Sequence, residues 1–288
     1  MSTLSNKVVF ITGAARGIGA ETARALAARG CRLVLTDVDA VPLQELQIEL
    51  GAVAVTVVAD VRDLDAMNRA VKQGIDAFGG IDLVLANAGI SSYGSVMQVD
   101  PATFARVLDI NILGVFHTVR ATLPSLIERK GYVLVVSSLA AFAACPGLAS
   151  YNASKAGVEH FANALRQEVT YQGVGVGSAH MAWIDTPLVR DAKSDLASFS
   201  EMLAVMPGPL GATTSVDKCV NAFVEGLDKR KRKVYVPRWV AVAEFFRGIL
   251  NSAIGDRALL EHVPRLLPKM DAEVAELGRS TSKRNTAL

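Results

Sequence analysis

Tyr151 and Lys155, in the stretch YNASK, stand at i and i+4. On an α-helix that spacing puts a phenol and an ammonium on one face, one turn apart. A free phenol has a pKa of about 10 and is protonated at neutral pH. A positive charge beside it favours the phenolate and lowers that pKa, which equips the tyrosine to give and take a proton. A surface helix with an incidental Tyr and Lys would read the same way, so the rest of the chain has to decide.

The second constellation opens the chain. TGAARGIG follows the apolar run KVVFIT and contains Gly13, Gly17 and Gly19 with Arg16 and Ile18 between them. Glycines let the backbone turn sharply and approach a phosphate, and the N-terminus of a following helix favours negative charge. The next apolar run, RLVLTD, ends in Asp37. A carboxylate about twenty residues after a glycine turn is placed to accept from a ribose 2′-hydroxyl, and it repels a 2′-phosphate. Arg16 argues the other way, because a guanidinium can reach a phosphate. Val38, not a cation, follows Asp37, so NAD is favoured over NADP. Later runs end at Asp60 and Val61, at Asn87-Ala88-Gly89, and at Ser137 and Ser138. A short polar residue before a small pair permits close approach of a flat ring or sugar, although each also reads as a turn.

These residues need elements to carry them. Runs at 7–12, 32–37, 53–60, 81–87, 131–138, 174–180 and 233–237 are near-continuous in Val, Ile and Leu. That is the pattern of parallel strands buried on both faces. Helical stretches at 17–29, 63–78, 101–129 and 152–171 alternate with them, which predicts an α/β fold: a doubly wound, mostly parallel sheet with helices on both faces. Ligands bind outside the carboxyl ends of the strands in such sheets. The chain has 288 residues, 51% hydrophobic and 20% charged, with a net charge of +2. That balance supplies a core and gives no support to nucleic-acid binding. Cys31, Cys145 and Cys219 have no metal or disulfide spacing and fit packing roles in a reducing compartment. No stretch of about 18 uninterrupted apolar residues offers a membrane span, and a cytoplasmic protein is expected.

Taken together, Gly13-x-x-x-Gly17-x-Gly19, Asn87-Ala88-Gly89, Asn111, Ser138 and Tyr151-x-x-x-Lys155 resemble the short-chain dehydrogenases/reductases in order and spacing, over residues 5 to 237. The resemblance implies a Rossmann-like single domain and hydride transfer between an alcohol carbon and a nicotinamide. It implies Tyr151 as general acid/base, Ser138 holding the substrate oxygen, Lys155 lowering the tyrosine pKa and binding the nicotinamide ribose, and Asn111 holding a water on a proton path to Lys155. Cofactor contacts are expected at Gly13, Arg16, Gly17, Ile18, Gly19, Asp37, Asp60, Val61, Asn87, Ala88, Gly89, Tyr151 and Lys155. Ile184 and Thr186 stand where the family contacts the nicotinamide carboxamide. Two positions depart from the pattern: Ala86 replaces an asparagine, and Met181-Ala182 replace a Pro-Gly, which leaves the backbone path to Ile184 and Thr186 open.

The partner implied is a small-molecule alcohol or carbonyl in a homo-oligomeric enzyme, a dimer or tetramer. Alternatives are an NADPH-dependent 3-oxoacyl-type reductase and, from another class, a nucleotide-sensing module that turns nothing over. Substrate walls are expected at 91–95, 139–148 and 183–210, the last an apolar, lid-like connection. His117, His160, His180 and His262 show no metal spacing, and DKRKRK (228–233) reads as a solvated helix end. Residues 238–277 form a helical extension. In it Trp239, Val242, Ala243, Phe246, Ile249 and Leu250 predict one face of an amphipathic helix. That face is expected to lie on protein, with a pocket cover, a subunit contact and peripheral membrane contact as the other readings. The polar end, 278–288, is expected to be disordered.

Overall fold

The computed structural model describes residues 4–286, with Ala258 as backbone alone. Strands β1 (Val8–Thr12), β2 (Arg32–Asp37), β3 (Ala54–Val58), β4 (Leu83–Ala86), β5 (Tyr132–Val136), β6 (Gly175–Met181) and β7 (Lys233–Val236) form one sheet. All its pairs are parallel, in the order β3-β2-β1-β4-β5-β6-β7. Helices α1 (Gly17–Ala27), α2 (Ala40–Leu50), α3 (Leu64–Phe78), α4 (Pro101–Leu108), α5 (Gly114–Arg129), α6 (Ala149–Val169), α7 (Pro187–Asp195), α8 (Ala197–Val205) and α9 (Val216–Asp228) connect the strands. After β7 come α10 (Val240–Phe245), α11 (Arg247–Leu250), α12 (Ala253–Leu260) and α13 (Val263–Leu277).

The continuous apolar strands are explained by a pleat that feeds two cores. Val9, Ile11, Leu33 and Leu85 point to one face, against Leu26 of α1 and Phe223 of α9. Val8, Phe10, Val34 and Val84 point to the other, against Met67 of α3, Val119 of α5 and Val158 of α6. Each such side chain contributes roughly 1.5–3 kcal/mol by leaving water. The strand order reverses at β1 and β4, and a crevice opens there at the carboxyl ends. Register matters as well: Thr12 pairs with Thr36, so the glycine turn and Asp37 leave the sheet side by side.

The helical stretch 101–129 is continuous, but Asp109–Leu113 is a π-helical turn, closed by Gly114 N–H donating to the Asp109 carbonyl. By length and composition Pro101–Arg129 could cross a membrane. Its apolar residues Val107, Val115, Val119 and Leu126 instead pack into the core beneath the sheet.

The extension differs from the expected single amphipathic helix. The helix stops at Phe246 (φ −94°, ψ 16°), so α10 turns Val240 and Ala243 onto Leu139 and Phe142. Val242, Phe246 and Ile249, placed on the buried face by periodicity alone, are 57%, 46% and 52% exposed. The extension reaches the body mainly through α13, whose Leu266, Met270 and Val274 pack with Phe199, Met202, Leu203 and Leu148.

The expected disorder of the last residues is also corrected, as far as Thr286; Ala287 and Leu288 lie outside the described residues. Ser280, Thr281 and Ser282 are buried. Tyr93 N–H donates to the Ser280 carbonyl at 2.7 Å, and Asp100 N–H donates to Ser280 Oγ at 2.9 Å. Thr281 Oγ1 donates to the Ser91 carbonyl at 2.7 Å. Arg279 donates to both oxygens of Asp195, each at 2.7 Å. Composition foretells disorder when apolar burial is the only reward, but here hydrogen bonds satisfy short polar residues in a protein groove.

Arg279→Ala should therefore lower the free energy of unfolding in urea by about 2 kcal/mol, the worth of hydrogen bonds to a charged partner. Arg284→Ala removes a looser, 3.5 Å contact with Asp191 and should cost under about 0.5 kcal/mol. Equal effects from the two substitutions would mean that the tail is not held as described.

Candidate active site

α6 opens after Leu148, so Tyr151 and Lys155 lie in its first two turns, facing the end of β5. Lys155 is only 4% exposed. Its Nζ donates to the Val136 carbonyl at 3.0 Å, and Ser137 Oγ donates to the Lys155 carbonyl at 2.9 Å. Together these bonds lock α6 to the strand end. Burial lowers the Lys155 pKa to about 8. Nζ stands 5.5 Å from the centroid of the Tyr151 ring, over its face and bound to a carbonyl.

The electrostatics correct one expectation. The Tyr151 pKa is raised, chiefly by burial, with the hydrogen bond to Ser138 pulling it partly back. Lys155 is not among the causes. An ammonium over the ring face is attracted by the π electrons. Ser138 Oγ itself accepts from Ala140 N–H at 3.1 Å and donates to the Met181 carbonyl at 3.3 Å. The latter bond is long enough to be exchanged for a ligand oxygen.

Asn111 sits in the π-helical turn, fully buried. Its Oδ1 accepts from Ile90 N–H at 2.9 Å, and its Nδ2 donates to the Ile90 carbonyl at 3.0 Å and to Ser154 Oγ at 2.9 Å. The side chain is thus spent on fastening the segment after β4 to α6, and it does not line the cavity. A Cβ at Gly89 would lie 3.2 Å from Asn111 Oδ1 and 3.4 Å from Lys155 Nζ, so a small residue is needed between them.

One cavity of about 590 Å³ gathers most of the remaining expected residues. Gly13, Arg16, Gly17, Ile18, Asp37, Asp60, Val61, Asn87, Ala88, Gly89, Ser138, Tyr151, Lys155, Ile184 and Thr186 all line it. Gly19 does not: a Cβ there would meet the Gly13 carbonyl oxygen at 2.1 Å, so this glycine serves the close packing of helix on turn. Gly13 has φ +64°, and a Cβ would lie 2.9 Å from Ala88 Cα, so a side chain there is excluded twice over. The N-cap of α1 is Arg16, which makes no side-chain cap. That leaves the helix start suited to an anion. Asp37 Oδ2 accepts from Ala15 N–H at 2.9 Å and Oδ1 from Asp39 N–H at 3.0 Å; burial raises its pKa in spite of these bonds. Arg16 donates to Asp39 at 3.1 Å and Arg62 pairs with Asp60, so both guanidinium groups at this end already face carboxylates. These features fit a dinucleotide.

The departure at Met181-Ala182 is bridged from the sheet side. Ala182 N–H donates to the Val236 carbonyl, Asp185 N–H to the Thr214 carbonyl and Thr214 N–H to the Trp183 carbonyl, at 2.8–2.9 Å. Backbone pairing thereby fixes the path to Ile184 and Thr186. The rest of the cavity is apolar, with Leu139, Leu148, Trp183, Leu188, Phe199 and Met206 from the expected walls. Leu250, on the face for which a pocket cover was one reading, lines it too, as do Ile254 and Leu259 of the extension and Ser282, Arg284 and Asn285 of the tail, which sequence reasoning did not assign. Ile254 and Leu259 lie beyond the periodic face read from 239–250, and the tail residues are polar, so nothing local says which body they cover.

Residues 7–197 match the family described as short chain dehydrogenase. The chain is 33% identical to the 11-beta-hydroxysteroid dehydrogenase 1A of Arabidopsis thaliana over 258 residues, 85% of this chain and 72% of the relative. It is 35% identical to an uncharacterised oxidoreductase of Mycobacterium tuberculosis over 209 residues, 65% of this chain and 75% of the relative. Among solved structures, the 3-ketoacyl-(acyl-carrier-protein) reductase of Brucella melitensis complexed with NADH superposes with a TM-score of 0.73 at 26% identity, over 81% of this chain and 98% of that one.

Because burial disfavours its charged form, Lys155 should titrate near 8, well below the ordinary 10.5. The folded protein then sheds this proton before the unfolded chain does, so the lysine's contribution to stability rises with pH between those two values. Side-chain nitrogen NMR of the cofactor-free protein should show one amine titrating near 8 that is missing in Lys155→Met. Titration of every lysine near 10.5 would refute the burial.

Proposed function

The chain belongs to the short-chain dehydrogenase family, and from that premise we propose that it is an NAD-dependent oxidoreductase interconverting a lipophilic alcohol and its carbonyl. The observation that carries the reading is a single cavity lined at once by Asp37 and the glycine turn, by Ser138, Tyr151 and Lys155, and by an apolar chamber. Gly13, Gly17 and the start of α1 would hold the diphosphate, Asp37 the adenosine ribose and Lys155 the nicotinamide ribose. The bound nicotinamide supplies a hydride acceptor in one direction and a hydride donor in the other.

The chain's own work is position and proton traffic. Ser138 Oγ holds the substrate oxygen beside Tyr151. Tyr151 Oη takes the hydroxyl proton as the carbinol carbon gives up its hydride, and returns that proton when the carbonyl is reduced. Lys155 Nζ fixes the ring from beneath and supplies the positive field of the site. Trp183, Leu188, Phe199 and the extension's Leu250 and Ile254 exclude water and favour a bulky apolar substrate over a small polar one. The hydroxysteroid dehydrogenase relative supports a substrate of that kind. The pairing of Arg16 with Asp39 and of Arg62 with Asp60 supports NAD, because each guanidinium would have to leave a carboxylate to meet a 2′-phosphate.

NAD should bind about a hundredfold more tightly than NADP, from one lost hydrogen bond and like-charge repulsion at Asp37. Asp37→Ala should narrow the gap. Calorimetric titration giving equal or tighter NADP binding would defeat the assignment.

Tyr151→Phe should cut turnover by ~10²–10⁴ while leaving NAD affinity unchanged. Oxidation needs the deprotonated phenol, and the Tyr151 pKa is raised. Alcohol oxidation should therefore climb with pH, by up to about tenfold per unit across neutrality, while carbonyl reduction stays level. A steroid and long-chain alcohol panel, read by NADH absorbance, supplies the assay. A flat oxidation profile, or a fully active Tyr151→Phe, would remove Tyr151 from the acid/base role.

A further inference from the structure

Near its end β6 carries a buried imidazole that the chemistry above does not use. His180 is fully buried, with its ring between Phe142 and Tyr235 at centroid distances of 5.1 and 5.9 Å. Its Nε2 lies 3.0 Å from Ser178 Oγ and 3.2 Å from Lys233 Nζ. Its Nδ1 lies 3.4 Å from the main-chain oxygen of Ser138. Lys233, expected to be solvated, opens β7 between two carboxylates, Glu159 at 2.7 Å and Glu244 at 3.1 Å. Glu244 belongs to α10 and also accepts from the Tyr235 hydroxyl, while Arg247 lies 3.6 Å from the other oxygen of Glu159.

The arrangement fixes the tautomer. An ammonium has donors only, so the imidazole nitrogen facing Lys233 must accept. The proton of the neutral ring then sits on Nδ1 and points to the Ser138 carbonyl. The ring is neutral around pH 7, because burial and then the Lys233 charge hold its pKa near 4 against the opposing pull of Glu159 and Glu244. The same Ser138 carbonyl accepts from Ala141 N–H at 3.1 Å. Ser138 is where the extended backbone of β5 (φ −161°, ψ 164°) breaks into a loop, and the orientation of this peptide sets where its Oγ points.

We propose that His180 is a positioning residue for Ser138: its Nδ1–H holds the serine's carbonyl, and the Lys233–Glu244 pair fixes its tautomer and ties it to the C-terminal extension. The kinetic part rests on the role proposed for Ser138; the tautomer does not. No step of proton transfer passes through the imidazole.

The first measurement uses the wild-type protein and needs no substrate. Nitrogen-15 NMR of histidine-labelled protein at neutral pH should show His180 with a protonated Nδ1 and a bare Nε2, assigned by its loss in His180→Asn. A proton on Nε2, or on both nitrogens, overturns the proposal whatever the enzyme turns over. The second measurement compares three substitutions that all remove the ring clasped by Phe142 and Tyr235. Asparagine places its Nδ2 where Nδ1 was and keeps a donor toward Ser138. Glutamine reaches only the Nε2 position, and leucine keeps neither donor nor acceptor. His180→Gln and His180→Leu should lose about ten- to a hundredfold in kcat from a displaced Ser138, with KM and NADH affinity unchanged. His180→Asn should retain kcat within about threefold, although its melting temperature falls like theirs. If kcat follows melting temperature across the three variants, or none of them changes kcat, His180 is merely structural and the proposal fails. Absence of any turnover by wild type would instead count against the proposed function and leave the NMR result standing.

Discussion

A strand buried on both faces leaves little room for ligand-facing polar chemistry except at its ends, and the placement of the cavity follows from that restriction. β1 is buried at all five positions, with alternate side chains in two separate cores. Charged or hydrogen-bonding groups within it would lose their water without compensation. They collect instead where the strands stop: Gly13 and Asp37 beside each other through the β1–β2 register, Asn87 after β4, Ser138 after β5, and Ile184 and Thr186 after β6. Parallel pairing brings all these ends to the same edge, so one cavity can be lined by residues remote in the chain.

The two most deeply placed charges at that edge are held by backbone. Lys155 is buried against the Val136 carbonyl, and Asp37 is held by two amides. Burial, rather than a neighbouring ion, is the largest influence on the pKa values of Lys155, Tyr151 and Asp37. A neutralised cluster lies behind the site, where Glu159, Lys233 and Glu244 meet His180. There the carboxylates and the ammonium offset one another's desolvation, and the imidazole between them and Ser138 can stay neutral.

The extension joins this frame at two levels. α10 enters through Glu244 and through Val240 and Ala243, while α13 covers the segment 183–210 with an apolar face. Ser282, Arg284 and Asn285 then return to the cavity as part of its lining. A segment beyond the last strand thus shapes the chamber that would choose the substrate.

The strands, their alternation with helices and the chemistry at their ends were legible in the sequence, because each rests on a local pattern. Burial on both faces demands continuous apolar runs, a turn against a neighbouring backbone demands glycine at Gly13, and one helical turn separates Tyr151 from Lys155. What the linear pattern could not carry was distance between remote residues. It missed that Arg16 is paired with Asp39, that Lys155 is tied to the Val136 carbonyl and stands over the Tyr151 ring, and that Gly19 and Asn111 support the site without lining it. It also treated His180 and Lys233 as unremarkable, and 278–286 as disordered. All of these turn on electrostatics and hydrogen bonds that act over a few ångströms in space. Sequence fixes such separations only within a helical turn or a strand pair, and packing of the two cores sets the rest.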